Sequence, residues 1–465
     1  MKSYFGQEKE NYYKFGELLA PEYDFELEFL VGMTYSLDFK AMLSILLAAE
    51  GNTEDAVLNG ANENKFALFN SIVKSSKKIA IFCNASGIKL PKRADTIYSL
   101  LDDCIFSISD RNIVNFHPKL YIALFKNKFD GKEIIKIVTM SKNLTFDQSL
   151  DVAASVNAEI SNDNKKVNED VAKPLIDMLD YVKKYSNSEK QNGIVLIQEK
   201  LKYIDNIDLG DDFEECKFVP VGIKGYKDKS YKLTKDAKKL IIISPFLTDG
   251  IVEKITDQVE EKILITRAEY VTDKIKELFD RNNDRIYVVK DEVLNDNSVK
   301  DICDSEEEDM IEDDSDEPVV QDIHAKIIFR NTDDGEYLSI GSLNATRGAY
   351  ENNVEFMTEF RLRENKKKDN NYNSIIDSLL SGDKSIFKEY DMSPNSINID
   401  KGKESKELNE IVKKITEAEV KKVNNNSYNI IVKADDANSE LFISPYFMDE
   451  KVKKPLEKSG HLPRI

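Results

Sequence analysis

Short β-branched runs and strand-like alternation recur along this chain in two similar series. Residues 77–88, KKIAIFCNASGI, form a compact apolar run closed by Asn, Ser and Gly, the pattern of a buried strand and its turn. Residues 119–125 (KLYIALF) and 133–140 (EIIKIVTM) follow, joined by the polar KNKFDGKE as the arms of a hairpin would be. A helix fits 171–185. In the second half, 239–246 (KLIIISPF), 262–266 (KILIT) and 285–289 (RIYVV) read as strands, and an amphipathic helix fits 271–281. A second hairpin follows, from 325–330 (AKIIFR) and 337–342 (YLSIGS) across NTDDGE. Residues 1–70 read as mostly helical. Within them, 33–49 is apolar almost all round, as in a buried helix or a strand running into one.

The two series share an order: His-x-Lys, a strand, a loop with Asp and Gly, a strand, Ser-x-Asn. That is an internal duplication with a period of about 200 residues. Two segments stand outside it. Residues 301–317 carry 11 acids in 17 positions, the composition of a solvated loop or of a lid that mimics a polyanion. Beyond residue 391, a helix at 403–423 and a strand-like run at 440–447 (ELFISPYF) suggest a small third domain. The chain stops at HLPRI, soon after a strand of the IISPF type, as a truncated unit would. The expected division is 1–190, 191–390 and 391–465.

Composition narrows the class. The chain has 465 residues, 41 % hydrophobic and 32 % charged, which fits a folded multi-domain protein and excludes a wholly disordered one. No apolar run approaches the ~18–20 residues of a membrane span, and the first residues lack the apolar core of a secretory signal, so a cytoplasmic protein is expected. A net charge of −19 argues against coating nucleic acid through overall charge, but leaves room for a basic cleft. The four cysteines form no CxxC pair. Histidine is the informative scarcity: only His117, His324 and His461 are present, which nearly excludes a multi-histidine metal site.

Two of those three histidines sit in the same pattern. NFHPKLYIALF leads to TMSKNLT, giving His117, Lys119, Ser141 and Asn143. DIHAKIIF leads to IGSLNAT, giving His324, Lys326, Ser342 and Asn344. Positions i and i+2 of an extended segment share a face, so each copy presents an imidazole, an ammonium, a hydroxyl and an amide at one strand edge. That mixture suits a phosphate: Lys cancels charge, Ser and Asn donate hydrogen bonds, and imidazole attacks or transfers a proton. Residues 71–94 are basic without an acid, with Lys89, Lys92 and Arg93 as candidate contacts to a polyanion. Arg347 and Arg267 are further ones.

With these residues the chain resembles the phospholipase D superfamily, whose motif is His-x-Lys, four residues, Asp, then Gly-Ser-x-Asn, present twice. The resemblance spans residues 75–365. The second copy keeps Gly341-Ser342-x-Asn344, whereas the first has Met140 in place of the Gly. The Asp position holds Leu124 and Asn331, as in the nuclease and tyrosyl-DNA phosphodiesterase branches. NNVEF supplies Glu355 where the family often has an acid supporting a histidine. Aligned on LDVA, Glu355 falls opposite Ala153 and Asp151 near Asn353, and Glu355 points to His324 as the activated ring.

The resemblance implies an α/β protein of two phospholipase D-like α/β/α sandwich lobes related by a pseudo-two-fold axis, with one composite active site between them and a small C-terminal domain. It implies metal-independent hydrolysis of nucleic acid, DNA or RNA, through a phosphohistidine, with no cofactor. The catalytic set would be His117, Lys119, Asn143, His324, Lys326, Asn344 and Glu355, with substrate bound by Ser141, Ser342, Arg347, Lys89, Lys92 and Arg93. A bacterial defence or restriction setting, with a helicase or other defence protein as partner or a second copy in a homo-oligomer, completes the expectation. The alternatives are a phospholipase or phosphatidyl transferase, and a non-catalytic module that binds phosphate or nucleic acid.

Overall fold

The computed structural model describes residues 15–49, 65–89, 96–145, 149–161, 169–281, 283–290, 323–364, 371–380, 385–392, 415–424, 427–434, 442–443 and 454–455. Among the described residues, nine strands lie in the first half: β1 (Phe25–Thr34), β2 (Leu37–Asp38), β3 (Ile79–Asn84), β4 (Ile88–Lys89), β5 (Ile105–Ile108), β6 (Leu120–Asn127), β7 (Glu133–Met140), β8 (Ala153–Ile160) and β9 (Ile204–Asp208). Seven of them form a sheet in the order β5-β3-β1-β6-β7-β8-β9. β1 pairs in parallel with β3 and antiparallel with β6. It is an interior strand of the sheet, and its last six residues are buried.

The second half holds β10 (Phe213–Val221), β11 (Lys239–Ile243), β12 (Glu261–Thr266), β13 (Arg285–Val289), β14 (Ile327–Thr332), β15 (Gly335–Gly341), β16 (Glu355–Leu362) and β17 (Phe387–Glu389). Their order is β10-β16-β15-β14-β11-β12-β13-β17. The core series β13-β12-β11-β14-β15-β16 repeats β5-β3-β1-β6-β7-β8, parallel pairs and hairpins alike. The duplication read from motif order is therefore a duplication of sheet topology. Only the edges differ.

Each sheet is covered on both faces. Helices Glu169–Lys183 and Ser188–Leu201 pack Leu175, Met178, Leu179, Ile194 and Ile197 on one face of the first sheet. Helices Phe39–Ala49 and Lys65–Lys77 place Met42, Ile45, Leu46 and Ile72 on the other. In the second lobe, Ile251, Val252, Ile255 and Ile275 cover one face and Tyr372, Ile375 and Leu379 the other. Burying a side chain of this size stabilises by about 1.5–3 kcal/mol, so these layers supply much of the drive to fold. The lobes share core as well: Phe218, Val354, Phe356 and Phe360 belong to the cluster that contains Val31, Phe82 and Ile122.

Several expectations change. Within residues 1–70, read as mostly helical, Phe25–Thr34 is a strand, an interior one of the first sheet, and it runs by way of Leu37–Asp38 into the helix Phe39–Ala49. The first sheet runs on to Asp208, so the passage between lobes falls between Asp208 and Phe213 rather than at residue 190. There β9 pairs antiparallel with β8 and forms the edge of the first sheet. The helix expected at 403–423 is overturned over its last part, where Ile415–Asn424 is a strand (β18) paired antiparallel with β19 (Ser427–Ala434). Most of the strand expected at 440–447, the acidic run 301–317 and His461 lie outside the described residues. Among the described residues, no helix is long and apolar enough to cross a membrane.

Candidate active site

Two backbone bridges bring the motif residues of both lobes to one place. Phe116, just before His117, lies beside Val354, and Leu150 lies beside Ile323, just before His324. His117 N donates to Val354 O at 2.8 Å, and His324 N donates to Leu150 O at 2.9 Å. Each histidine is thereby carried to the acidic strand start of the opposite lobe. His117 Nδ1 sits 2.8 Å from Glu355 Oε2, and His324 Nδ1 sits 3.1 Å from Asp151 Oδ1. The pairing is crossed: neither lobe holds its own histidine.

The serines fix the carboxylates. Ser141 Oγ donates to Asp151 Oδ1 at 2.7 Å, and Ser342 Oγ donates to Glu355 Oε2 at 2.5 Å. Each hydroxyl also accepts the backbone N–H that follows its partner acid, Val152 at 2.9 Å and Phe356 at 3.0 Å. Ser149 and Asn353 add a donor each, at 2.6 and 3.0 Å. Ser141 and Ser342, expected to donate to a phosphate, thus donate their hydroxyl protons to the acids. Glu355 serves His117 and not His324, which removes the basis for naming His324 the activated ring.

Sheet register identifies what the sequence alignment displaced. Met140 pairs with Ala153, and its counterpart Gly341 pairs with Met357. Counting back two residues sets Asp151 opposite Glu355, not Ala153. Asp151 is the acid of the first copy, and the only sequence signal for it was the order Ser-x-Asn followed by a nearby acid. At Gly341 a Cβ would meet Phe356 O at 2.2 Å, so glycine is required there, while the first copy accommodates Met140.

Lys119 and Lys326 are fully buried beside the histidines. Lys119 Nζ lies 3.0 Å from His117 Nε2, and Tyr35 packs its ring 5.0 Å from that of His117. Asn344 is buried and Asn143 half-buried; the Oδ1 atoms of both are shielded from solvent without a hydrogen-bond partner among the described residues. Burial pushes His117 down to about 4, helped by the Lys119 charge and opposed by Glu355. His324 is likewise pushed to about 4 by burial and by Lys326, against the pull of Asp151. Burial also lowers Lys119 well below its usual range. Asp151 is pushed up by burial, but hydrogen bonds from His324, Ser149 and Ser141 outweigh this and hold it at about 2. Both rings are therefore neutral at pH 7, with Nδ1–H donated to a carboxylate and a lone pair left on Nε2.

Hydroxyls at the ends of β1 and β11 support the asparagine loops. Thr34 Oγ1 accepts from Leu144 N at 3.0 Å, and Ser244 Oγ accepts from Ala345 N at 2.9 Å. One step along, Asn84 Oδ1 accepts from Phe116 N at 2.9 Å. Its counterpart is Arg267, whose guanidinium donates to Ile323 O at 3.0 and 3.2 Å. Arg267 is thus a brace on the residue before His324, where a phosphate contact was expected. Arg347 is exposed beside the π-turn Gly348–Asn352, and Lys89 is exposed on β4; neither makes a recorded contact with the crossed pairs. Lys92 and Arg93 lie outside the described residues.

No family model and no curated protein sequence matches the chain. Solved structures do resemble it. A mutant of yeast tyrosyl-DNA phosphodiesterase is 12 % identical, covers 76 % of this chain and 86 % of its own, and gives a TM-score of 0.44. Phosphatidylserine synthase from Haemophilus influenzae Rd KW20 is 8 % identical over 81 % of this chain and 84 % of its own, with a TM-score of 0.41. Polyphosphate kinase from Porphyromonas gingivalis is 10 % identical over 75 % of this chain, with a TM-score of 0.38. The match spans 44 % of the kinase, less than half its length.

Proposed function

We propose that this phospholipase D-like chain is a phosphodiesterase that cleaves nucleic acid without a metal, through a phosphohistidine. The observation that carries the reading is the crossed arrangement of two neutral histidines, each fixed at Nδ1 by an acid of the other lobe, with two buried lysines between them. Nε2 of one histidine attacks phosphorus, and the bond to the leaving oxygen breaks. The other histidine, protonated once the anionic substrate is bound, gives its proton to that oxygen. Now neutral, it takes a proton from water, which attacks phosphorus and releases the first histidine. Lys119, Lys326 and the amide N–H groups of Asn143 and Asn344 stabilise the charge that builds on the non-bridging oxygens.

The test is turnover of a labelled oligonucleotide and of phospholipid vesicles, both in EDTA. Oligonucleotide cleavage is expected to persist. His117→Ala and His324→Ala should each lower kcat by about 10³-fold or more, since attacking base and acid act as a unit. Activity that vanishes in EDTA and returns with magnesium would overturn the assignment, as would cleavage of phospholipid alone. The phosphohistidine trapped in one variant and not the other identifies the ring that attacks.

A further inference from the structure

We infer that the lysine-rich turn and short helix at residues 224–239 form an electrostatic track that holds the nucleic-acid backbone beside the active site. The inference rests on the phosphodiesterase reading and extends it to a surface outside the catalytic set. This segment, KGYKDKSYKLTKDAKK, carries seven lysines against Asp228 and Asp236, in a chain of net charge −19. Three of the lysines are paired: Lys235 with Asp236, Lys238 with Asp333 and Lys239 with Glu261. Lys224, Lys227, Lys229 and Lys232 have no ion-pair partner among the described residues. All are exposed except the half-buried Lys229. Lys254, on helix Asp249–Thr256, joins them with its ammonium 3.7 Å from the centre of the Tyr231 ring.

The track is fastened to the catalytic strand start. Gly222 N donates to Tyr226 O at 3.2 Å, folding the lysine turn back on the end of β10. Gly222 has φ +85°, and a Cβ there would lie 1.9 Å from Asn353 O. Asn353 in turn donates to Glu355. Ser230 Oγ donates to Tyr350 O at 3.0 Å, and Tyr231 OH donates to Glu351 at 2.9 Å, so the short helix Lys229–Lys232 sits against the π-turn that begins after the exposed Arg347. The unpaired cations are thus one packed turn away from the residues that hold His117.

A soluble polyanion fits this surface better than an anionic membrane does. A membrane-docking patch pairs cations with exposed apolar side chains that enter the bilayer. Among the described residues, none of the exposed large hydrophobic side chains lies in 224–239 or 347–352. The tyrosines there are half-buried or buried, and Tyr226 and Tyr231 spend their hydroxyls on Asp177 and Glu351.

The experiment compares the parent chain with a Lys224→Gln, Lys227→Gln, Lys229→Gln, Lys232→Gln variant on a labelled single-stranded oligonucleotide and on bis(p-nitrophenyl) phosphate, across a salt series. The small diester reports the catalytic centre alone. Its kcat/KM is expected to be unchanged, while the oligonucleotide KM rises by about tenfold and the slope of log KM against log salt falls by about 3, at about 0.7 per phosphate contact. An unchanged slope and KM overturn the track. If the parent cleaves neither substrate, the phosphodiesterase reading fails, and anisotropy of the same oligonucleotide still decides the track by the same salt slope. Loss of binding to phosphatidylserine vesicles, with oligonucleotide binding intact, overturns it in favour of a membrane surface.

Discussion

Glu355 accepts from His117, Ser342 and Asn353 in a site closed to solvent, and Asp151 accepts from His324, Ser141 and Ser149. Replacing either acid by its amide keeps the shape but offers an N–H where the ring expects an acceptor. Glu355→Gln and Asp151→Asn should therefore lower kcat by about 10²–10⁴-fold with KM little changed, by the tautomer argument known from catalytic triads. Steady-state kinetics check this, and a loss confined to KM would refute it. The charges also count. With both rings neutral in the free site, an entering phosphodiester brings one negative charge beside them, and that charge favours a proton on one ring. Binding of an inert phosphate analogue at pH 7 should take up close to one proton, read by calorimetry in buffers of different ionisation enthalpy; no uptake would mean that the acid is loaded before substrate arrives. Stability follows the same groups. Folded values of about 4 against 6.5 leave the unfolded chain binding more protons between those limits, so stability falls as pH drops from 6.5 toward 4. The Asp151 contribution persists above its ordinary 3.8 and is lost as pH falls toward 2.

The elements that hold these residues were legible where both faces of a short strand are apolar and turn residues bound it. EIIKIVTM and RIYVV fall within the strands observed. Residues 25–34 were misread because FELEFLVGMT loses its alternation after Glu28, as a strand buried on both faces must. Residues 415–424 were misread because ITEAEVKKVN is rich in Glu and Lys, whose helical preference gives way to pairing with β19. The histidines, lysines, serines and asparagines were all visible in the motif. Asp151 was not, since a two-residue offset in a weak repeat is settled only by the pairing of Met140 with Ala153. Nor were Asn84 and Arg267, which perform one task with an acceptor in one lobe and a donor in the other. Asn84→Asp keeps the acceptor and should keep most activity, whereas Asn84→Leu and Arg267→Ala should each lower kcat by about 10- to 100-fold through a small displacement of the following histidine. Equal loss in Asn84→Asp and Asn84→Leu would deny the brace.

At the scale of the molecule, the lobes are joined where the crossed histidine–acid pairs sit. Phe116–Val354 and Leu150–Ile323 bridge them, Thr139 and Thr358 meet at 2.7 Å, and one apolar cluster runs through both. Gly222 anchors this region, and Gly222→Ala forces a methyl group into Asn353 O from a left-handed backbone. It should cost about 1–3 kcal/mol in denaturant unfolding and depress activity as well. A variant of wild-type stability would show that the turn relaxes freely. The crossed pairing has a consequence for inheritance. The units on which selection acts are not the two halves of the duplication but two triplets that straddle them: His117 with Ser342 and Glu355, and His324 with Ser141 and Asp151. One half can change freely in its edges and helices, as β9 and β17 illustrate, while a change at an acid in one half is felt by the histidine of the other. Exchanging the acids by Asp151→Glu with Glu355→Asp should therefore fail unless the opposite histidine loop shifts with them, and compensating changes should surface in the other lobe.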